Sequence, residues 1–302
     1  MKLTILGCYS ATPRTLTNPT AQLLEIRNHM FLIDCGEGTQ VQLRKRKVKF
    51  SRIKHIFISH LHGDHFFGLP GLISTFRLLG REKELHVYGP KGIKQAITML
   101  LKLGDSWTNY PLYFHELEGS EPTVIFEDDT LTVTTVPLVH RVYTNGFLFE
   151  EKPAKRTLNH EAAVSYGIDK SQFNNIKNGK SVVLEDGTTI ANSEVTLDPP
   201  PPKRYAFCSD TAYHEPLVMQ LKGIDMLYHE STFLEADAHL CAKTKHSTAK
   251  QAAMIAKKAQ VGKLILGHYS TRYKSIDLFY EEAEKVFENV ALAEDGKVFE
   301  LK

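Results

Sequence analysis

Short apolar runs alternate with stretches of helical spacing along the first half of the chain. Lys2–Leu6, Ala21–Ile26, Met30–Asp34 and His55–Ser59 have the length and apolar content of strands, while Thr39–Lys47 and Gly71–Leu79 carry helical spacing. Next, His86–Tyr88 predicts a strand, Gly89-Pro90 a break, and Ile93–Leu103 a helix with apolar residues three and four apart. Thr123–Phe126 and Leu131–Val136 predict two more strands, joined by the acidic turn Glu127-Asp128-Asp129. The second half repeats the grammar, with strands at Arg204–Cys208, Met226–Tyr228 and Lys263–Leu266 and helices at about Pro216–Leu221, Thr248–Ala259 and Asp277–Phe287. Two halves built alike imply a mixed α/β fold of two sheets, each covered by helices.

Between the halves, Glu151 to about Ser193 is polar and lacks a core-like period, and it is closed by Leu197-Asp198-Pro199-Pro200-Pro201-Pro202. We read 151–193 as an arm inserted in a single domain spanning 1–302; an ordinary solvated loop is the plain alternative. Over Glu151–Lys180 it holds six Lys/Arg against three Asp/Glu. The whole chain of 302 residues is 42% hydrophobic and 24% charged, which suffices for a large core and excludes a disordered polymer. Lys+Arg 37 against Asp+Glu 35 gives only +2, so any nucleic-acid contact must come from local patches. One such patch is Arg44-Lys45-Arg46-Lys47-Val48-Lys49 with Arg52 and Lys54, which reads either as a helix end carrying cations or as a phosphate contact. Cys8, Cys35, Cys208 and Cys241 form no CxxC, which argues against a disulfide framework and a cysteine zinc site. Ile5-Leu6-Gly7-Cys8 has a faint likeness to a lipoprotein processing site, but the apolar run before it is too short for a signal sequence. The scattered cysteines make a reducing cytoplasm the simplest home, and no run reaches the length of a membrane helix, so a soluble protein is expected.

The strongest chemical signal is His60-Leu61-His62-Gly63-Asp64-His65, directly after the apolar run Ile56-Phe57-Ile58-Ser59. With 14 His in the chain, this pattern arises by chance in roughly one such chain in a thousand. Four ligand-type side chains from one loop cannot all close on one ion. Alternation sends His60 and His62 to one side and leaves Asp64-His65 at the turn, which suggests two neighbouring metals. Further ligands must come from later strand ends, where His140, Asp210, His229 and His268 stand. Imidazole and carboxylate donors without thiolate favour zinc, with manganese as the alternative. His29, His55, His86, His115, His160, His214 and His239 lack such a context and receive no role.

These residues resemble the metallo-β-lactamase superfamily. Several further motifs resemble its ribonuclease Z family: Asp34-Cys35-Gly36-Glu37, Gly68-Leu69-Pro70-Gly71-Leu72, Ser209-Asp210-Thr211, His229-Glu230-Ser231-Thr232, His246-Ser247-Thr248 and Gly267-His268-Tyr269-Ser270-Thr271-Arg272-Tyr273. The resemblance implies an αββα sandwich with a two-metal site at one edge and a projecting arm. It implies one zinc on His60, His62, His140 and Asp210 and a second on Asp64, His65, Asp210 and His268, so that His229 leaves the ligand set. It further implies endonucleolytic removal of 3′ trailers from precursor tRNA, with a metal-bridging hydroxide as nucleophile. Two divalent ions, two carboxylates and a hydroxide sum to about +1, which attracts a phosphodiester. By the same resemblance His246 is the proton donor to the leaving oxygen, Glu230 its partner, and Asp64 a ligand that also orients the nucleophile. The arm would bind the tRNA elbow, with Lys170, Lys177 and Lys180 as contacts beside Arg14 and Arg272, and the enzyme would be a homodimer.

Two places depart from the family pattern. Pro13-Arg14-Thr15-Leu16-Thr17-Asn18 lacks the two spaced basic residues of P-x-K-x-R-N, and Asp169-Lys170-Ser171 stands where a Gly-Pro pair precedes Ile176-Lys177-Asn178-Gly179. The competing readings are a superfamily hydrolase acting on a small phosphodiester or (thio)ester, and a non-catalytic RNA-binding relative. The second should show broken ligand positions, and all seven are intact.

Overall fold

The computed structural model describes residues 1–12 and 15–301. It divides into two compact units: Met1–Glu127 with Thr132–Glu150 and Lys203–Lys302, and Asp128–Leu131 with Glu151–Pro202.

In the first unit, β1 (Lys2–Gly7), β2 (Ala21–Ile26), β3 (His29–Ile33), β4 (Ile53–Phe57), β5 (Leu85–Pro90) and β6 (Leu112–Leu117) lie side by side in sequence order. The chain then builds a second sheet from β7 (Val124–Glu127), β8 (Leu131–Pro137), β9 (Asn145–Glu151), β10 (Arg204–Cys208), β11 (Met226–Glu230), β12 (Leu264–Gly267) and β13 (Val290–Leu292). Its last strand, β14 (Val298–Glu300), returns to pair antiparallel with β1 at the edge of the first sheet. Neighbours from β3 to β6 and from β10 to β13 run parallel. The inner parallel strands β10, β11 and β12 are covered on both faces, which is why Tyr205–Cys208, Met226–Tyr228 and Leu264–Gly267 read as unbroken apolar runs.

The helices Thr39–Lys45, Leu69–Leu78 and Ile93–Leu103 bury Leu43, Leu72, Ile73, Phe76, Ile97 and Leu101 in one cluster with Leu23, Leu32, Ile56 and Val87 of the first sheet. Ala249–Ala259 packs on β11 and β12 through a face of small residues and opens on a capping box in which Thr248 Oγ1 accepts from Gln251 N. Between the sheets lies an aromatic layer. Phe31 and Phe57 of the first sheet stand 5.5 Å from Phe149 of the second, Phe57 stands 5.4 Å from Phe147, and the Tyr205 hydroxyl donates to Gln22 Oε1. Helices outside and two sheets inside make the αββα sandwich of the metallo-β-lactamase fold.

Several elements differ from the sequence expectation. β6, β9, β13 and β14 were not anticipated, and the helix expected over Thr39–Lys47 stops at Lys45. The second unit is not irregular. It contains the helices His160–Ser165, Phe173–Lys177 and Asn192–Val195 and two short ladders, Thr157–Leu158 with Thr196–Leu197 and Val182–Val183 with Thr189–Ile190. Ala163, Ile168, Ile176, Val182, Ile190 and Val195 form its small core. These elements are too short to impose a period on the sequence. The first ladder and the Arg156–Asp198 ion pair tie in the returning chain, so the unit extends past Ser193 to Pro202.

Candidate metal centre

The functional loops of the first unit gather at the carboxyl ends of the parallel strands. Asp34 follows β3, the His60–His65 loop follows β4, Asp210 follows β10, Glu230 ends β11 and His268 follows β12. His140 follows β8, and His246 lies just before the helix Ala249–Ala259. Open α/β sheets place ligand sites at these ends, because there the backbone turns away and frees its side chains. Asp34, Asp210 and His268 have φ of 54°, 62° and 58°, a left-handed conformation unusual for residues other than glycine.

Two groups of donor atoms share one carboxylate. In the first, His62 Nδ1 lies 2.9 Å from His60 Nε2 and 3.2 Å from His140 Nε2, and Asp210 Oδ2 lies 3.4 Å and 3.6 Å from the His60 and His140 nitrogens. In the second, His65 Nε2 and His268 Nε2 are 3.4 Å apart, Asp64 Oδ2 lies 3.5 Å and 3.4 Å from them, and Asp210 Oδ1 lies 3.3 Å and 3.1 Å from them. Asp210 therefore turns one oxygen to each group. Ligands at tetrahedral zinc bonds of 2.0–2.1 Å sit about 3.4 Å from one another, which these separations approximate.

The far nitrogen of each buried imidazole is already fixed. His65 Nδ1–H donates to Asp34 Oδ2 at 2.6 Å, and His60 Nδ1–H to Ser59 Oγ at 3.0 Å. His140 Nδ1–H donates to the Lys245 carbonyl at 3.0 Å, and His268 Nδ1–H to Thr232 Oγ1 at 2.9 Å. Each bond fixes the tautomer so that Nε2 is the nitrogen aimed at the group, the arrangement metal-bound histidines adopt. Burial opposes charge on His65, but the Asp210, Asp64 and Asp34 carboxylates outweigh it and hold that ring well above its ordinary pKa, so a cation there would displace the Nε2 proton. Burial, reinforced by neighbouring imidazoles, holds His60 below its ordinary pKa. Burial likewise lowers His62 to about 4 and His140 to about 4, so these rings are neutral at pH 7. Burial opposes charge on Asp64 and Asp210 too, but the surrounding imidazoles outweigh it and both remain carboxylates. Three neutral imidazoles around one oxygen of Asp210, and ionised carboxylates holding a charge on His65 where a cation would sit, fit divalent cations; imidazole and carboxylate donors without thiolate are a donor set zinc accepts.

Beside the second group stands a separate pair. His246 Nδ1–H donates to Glu230 Oε1 at 2.8 Å, and its Nε2 points to the shared carboxylate, 4.0 Å from Asp210 Oδ2. Glu230 is wholly buried and accepts three more bonds, from Thr211 N at 3.1 Å, Thr232 N at 2.9 Å and Thr232 Oγ1 at 2.8 Å. Burial penalises the His246 imidazolium, but the Glu230 and Asp210 carboxylates outweigh it and raise the ring to about 9. A protonated imidazole with one N–H spent on a carboxylate presents the other as an acid.

The remaining sequence candidates separate. His229 is fully buried, donates Nδ1–H to the Glu230 carbonyl at 2.7 Å, and joins neither donor group among the described residues. Arg272 pairs with Asp237 at 3.3 Å and lies over the Phe233 ring at 5.3 Å, and the Tyr273 hydroxyl also bonds Asp237, so this motif braces the segment that carries Thr232. Lys170, Lys177 and Lys180 are exposed in the second unit. Arg14 lies outside the described residues. Sequence reasoning assigned no role to Asp34, Ser59, Thr232 or the Lys245 carbonyl, which orient the clustered imidazoles; Asp34 and Thr232 were visible only as members of the family-like motifs Asp34-Cys35-Gly36-Glu37 and His229-Glu230-Ser231-Thr232.

A family model described as anti-Pycsar protein Apyc1 matches residues 1–152, a span that holds the His60–His65 loop but stops before Asp210, Glu230, His246 and His268. Relatives called ribonuclease Z match throughout. That of Bacteroides fragilis is 46% identical over 300 residues, covering 99% of each chain, and that of Porphyromonas gingivalis is 44% identical over 297 residues, covering 98% of each. Among solved structures, the short form of human tRNase Z superposes with a TM-score of 0.73 at 27% identity, covering 100% of both chains. The chain belongs to the ribonuclease Z family.

Proposed function

We propose that the protein is a metal-dependent endoribonuclease that removes 3′ trailers from precursor tRNA. It cuts after the discriminator base and leaves a 3′-hydroxyl on the tRNA and a 5′-phosphate on the trailer. The observation that carries this reading is the His246–Glu230 pair set against a two-group donor cluster, in a chain that keeps its ribonuclease Z likeness from end to end.

His60, His62, His140 and Asp210 would hold one divalent ion and Asp64, His65, Asp210 and His268 a second, with zinc the preferred ion and manganese the alternative. When bound, the pair supplies Lewis acidity to the phosphodiester and lowers the pKa of water. The chain's own groups do the rest. Asp64 is held ionised and accepts a hydrogen bond from the attacking water, which aims it at phosphorus. As the P–O3′ bond breaks, His246 Nε2–H donates its proton to the departing O3′, so that a neutral hydroxyl leaves rather than an alkoxide. Glu230 stabilises the imidazolium before the transfer and keeps the ring's tautomer fixed.

The exposed cations Lys170, Lys177 and Lys180 support a role of residues 151–202 in gripping the folded tRNA through its phosphates. A homodimer is supported by apolar side chains left open on two helices that touch: Leu78 is 83% exposed, Met99 60% and Leu103 78%, with Trp107 50% exposed just beyond. No described helix is long and apolar enough to cross a membrane.

The deciding experiment incubates purified protein with a trailer-bearing precursor tRNA, with and without chelator, and maps the ends. Cleavage after the discriminator base that chelation abolishes is the expected result. Intact RNA alongside hydrolysis of a small phosphodiester or thioester would refute the substrate and keep the metal chemistry.

A further inference from the structure

The basic run Arg44–Lys54 has no part in the metal centre. Arg46 closes the helix Thr39–Lys45, and its guanidinium bonds the Gln42 carbonyl at 3.2 Å and the Gln42 side-chain oxygen at 2.6 Å. The helix dipole thus accounts for Arg44 and Lys45 in the last turn, and for nothing beyond it. Lys47 and Lys49 follow on non-helical chain, Arg52 ends the single 3-10 turn Phe50–Arg52, Lys54 lies on β4, and all four are exposed. Among the described residues no carboxylate pairs with Lys47, Lys49 or Lys54; Arg52 shares Glu25 with Lys2, at 3.5 Å and 3.1 Å. Like charges kept this close repel one another unless an anion joins them.

These cations line a groove. A concavity of about 350 Å³ runs past Thr4 and Leu23, walled by Arg46, Lys47, Lys49 and Arg52, with Glu25 on its wall already taken up by Lys2 and Arg52. At one end it shares Arg46 and Gly296 with a polar concavity of about 580 Å³ bounded by Asn18 and Asp295. At the other it shares Arg52 with a third, of about 390 Å³, rimmed by Lys54 and Lys83. The first end lies next to the metal loop. Asn18 is fixed by bonds to Asp295 at 2.9 Å and 2.7 Å, and Pro19 packs on Gly36, where an added Cβ would fall 2.9 Å from Pro19 Cβ and 2.5 Å from the Asp64 carbonyl. From there the groove follows the sheet away from the site. Among the described residues no aromatic side chain lines its central part, so it offers phosphates a row of cations and offers bases no stacking platform.

We propose that this groove carries the single-stranded RNA downstream of the cut, the trailer, by its phosphates. The proposal rests on the endoribonuclease reading. A flexible strand can follow a recessed, bent row of cations, whereas a stiff duplex would meet it at one or two phosphates. The groove's first end, at Asn18, is one residue from Pro19, which packs on Gly36 against the backbone of the metal loop, and it leads outward from there, a direction the strand beyond the cleaved bond could take. It adds affinity for long trailers without reading their sequence.

The test compares the wild type with Lys47→Glu/Lys49→Glu on precursors whose trailers are about two and about twelve nucleotides long. The expected result is a KM raised on the order of tenfold for the long trailer, with kcat and all short-trailer kinetics unchanged. The salt slope of long-trailer binding should shrink by about 1.4, or about 0.7 for each lost phosphate contact. The milder Lys47→Gln/Lys49→Gln should fall between, and normal short-trailer cleavage certifies folding of both variants. Equal changes on both trailers, or none on either, would overturn the proposal. A labelled single-stranded oligonucleotide titrated into each protein decides the groove without any cleavage: weaker binding by the variants supports it, equal binding refutes it. If the wild type cuts neither precursor, the endoribonuclease reading fails while that titration still judges the groove.

Discussion

Replacing Asp34 by Asn isolates what one buried carboxylate does for the metal centre. Asp34 is wholly buried. Its Oδ1 accepts from Ser59 N at 2.7 Å, and its Oδ2 accepts from Ser59 Oγ at 2.8 Å and His65 Nδ1 at 2.6 Å. Asn fits the same volume and tolerates the φ of 54°, so backbone strain does not confound the change. The amide nitrogen only donates, however. With the amide oxygen kept on Ser59 N, the NH2 meets the His65 ring and forces Nδ1 to accept, which moves the His65 proton to Nε2. That nitrogen faces Asp210 Oδ1 at 3.3 Å and Asp64 Oδ2 at 3.5 Å and can no longer bind a cation. Flipping the amide restores His65 but sets two donors against each other at Ser59 N. Loss of such an orienting partner weakens metal binding by about 10–100-fold, or about 1.4–2.7 kcal/mol. Competition titration of zinc against a chromophoric chelator should show one site weakened by that factor. The site built on His60, His62 and His140 should change less, because His60 rests on Ser59 Oγ, which can still accept. Two sites titrating as in the wild type, with the circular dichroism unchanged, would refute the reasoning.

His246→Ala should lower kcat by about 10²–10⁴ in single-turnover cleavage while zinc content and substrate affinity stay constant; unchanged turnover would remove the ring from the mechanism. Chelation should abolish activity, and added zinc or manganese should restore it, as read by trailer release. Phe149→Ala opens the aromatic layer between the sheets and should cost about 3–5 kcal/mol in urea unfolding. His55 is held down to about 3, chiefly by burial and then by the His86, His29, Lys54 and His115 side chains around it, while the unfolded ring titrates near 6.5. The unfolded state therefore binds more protons between these values, and stability falls as pH drops through that window. His55→Phe, which keeps the ring contacts and removes a buried Nδ1 that has no partner, should flatten the urea midpoint against pH below 6.5 relative to the wild type.

The parts legible in the sequence are those whose cause is local. β10, β11 and β12 sit between helices and the other sheet, so each carries an unbroken apolar run, Tyr205–Cys208, Met226–Tyr228 and Leu264–Gly267, and the run announces itself. β9 lies just as deep, yet Gly146 and the acids after Phe149 break its pattern. That glycine is there because a Cβ would fall 2.3 Å from the Phe207 carbonyl of the neighbouring strand. The residue that hides the strand from a reading of periodicity is the one its pairing requires, and only the three-dimensional neighbour reveals this. The same division runs through the site. His60, His62, Asp64 and His65 are neighbours in sequence and form a visible motif, and Asp210 and His268 betray themselves by following strands. Asp34 follows a strand too, but an Asp there is as often a turn residue. What separates it is the 2.6 Å bond to His65, made across 31 positions of chain. The basic run divides in the same way: the pattern offered a helix end or a phosphate contact, and the end of the helix at Lys45 assigns the first reading to Arg44 and Lys45 and leaves the second to the cations beyond.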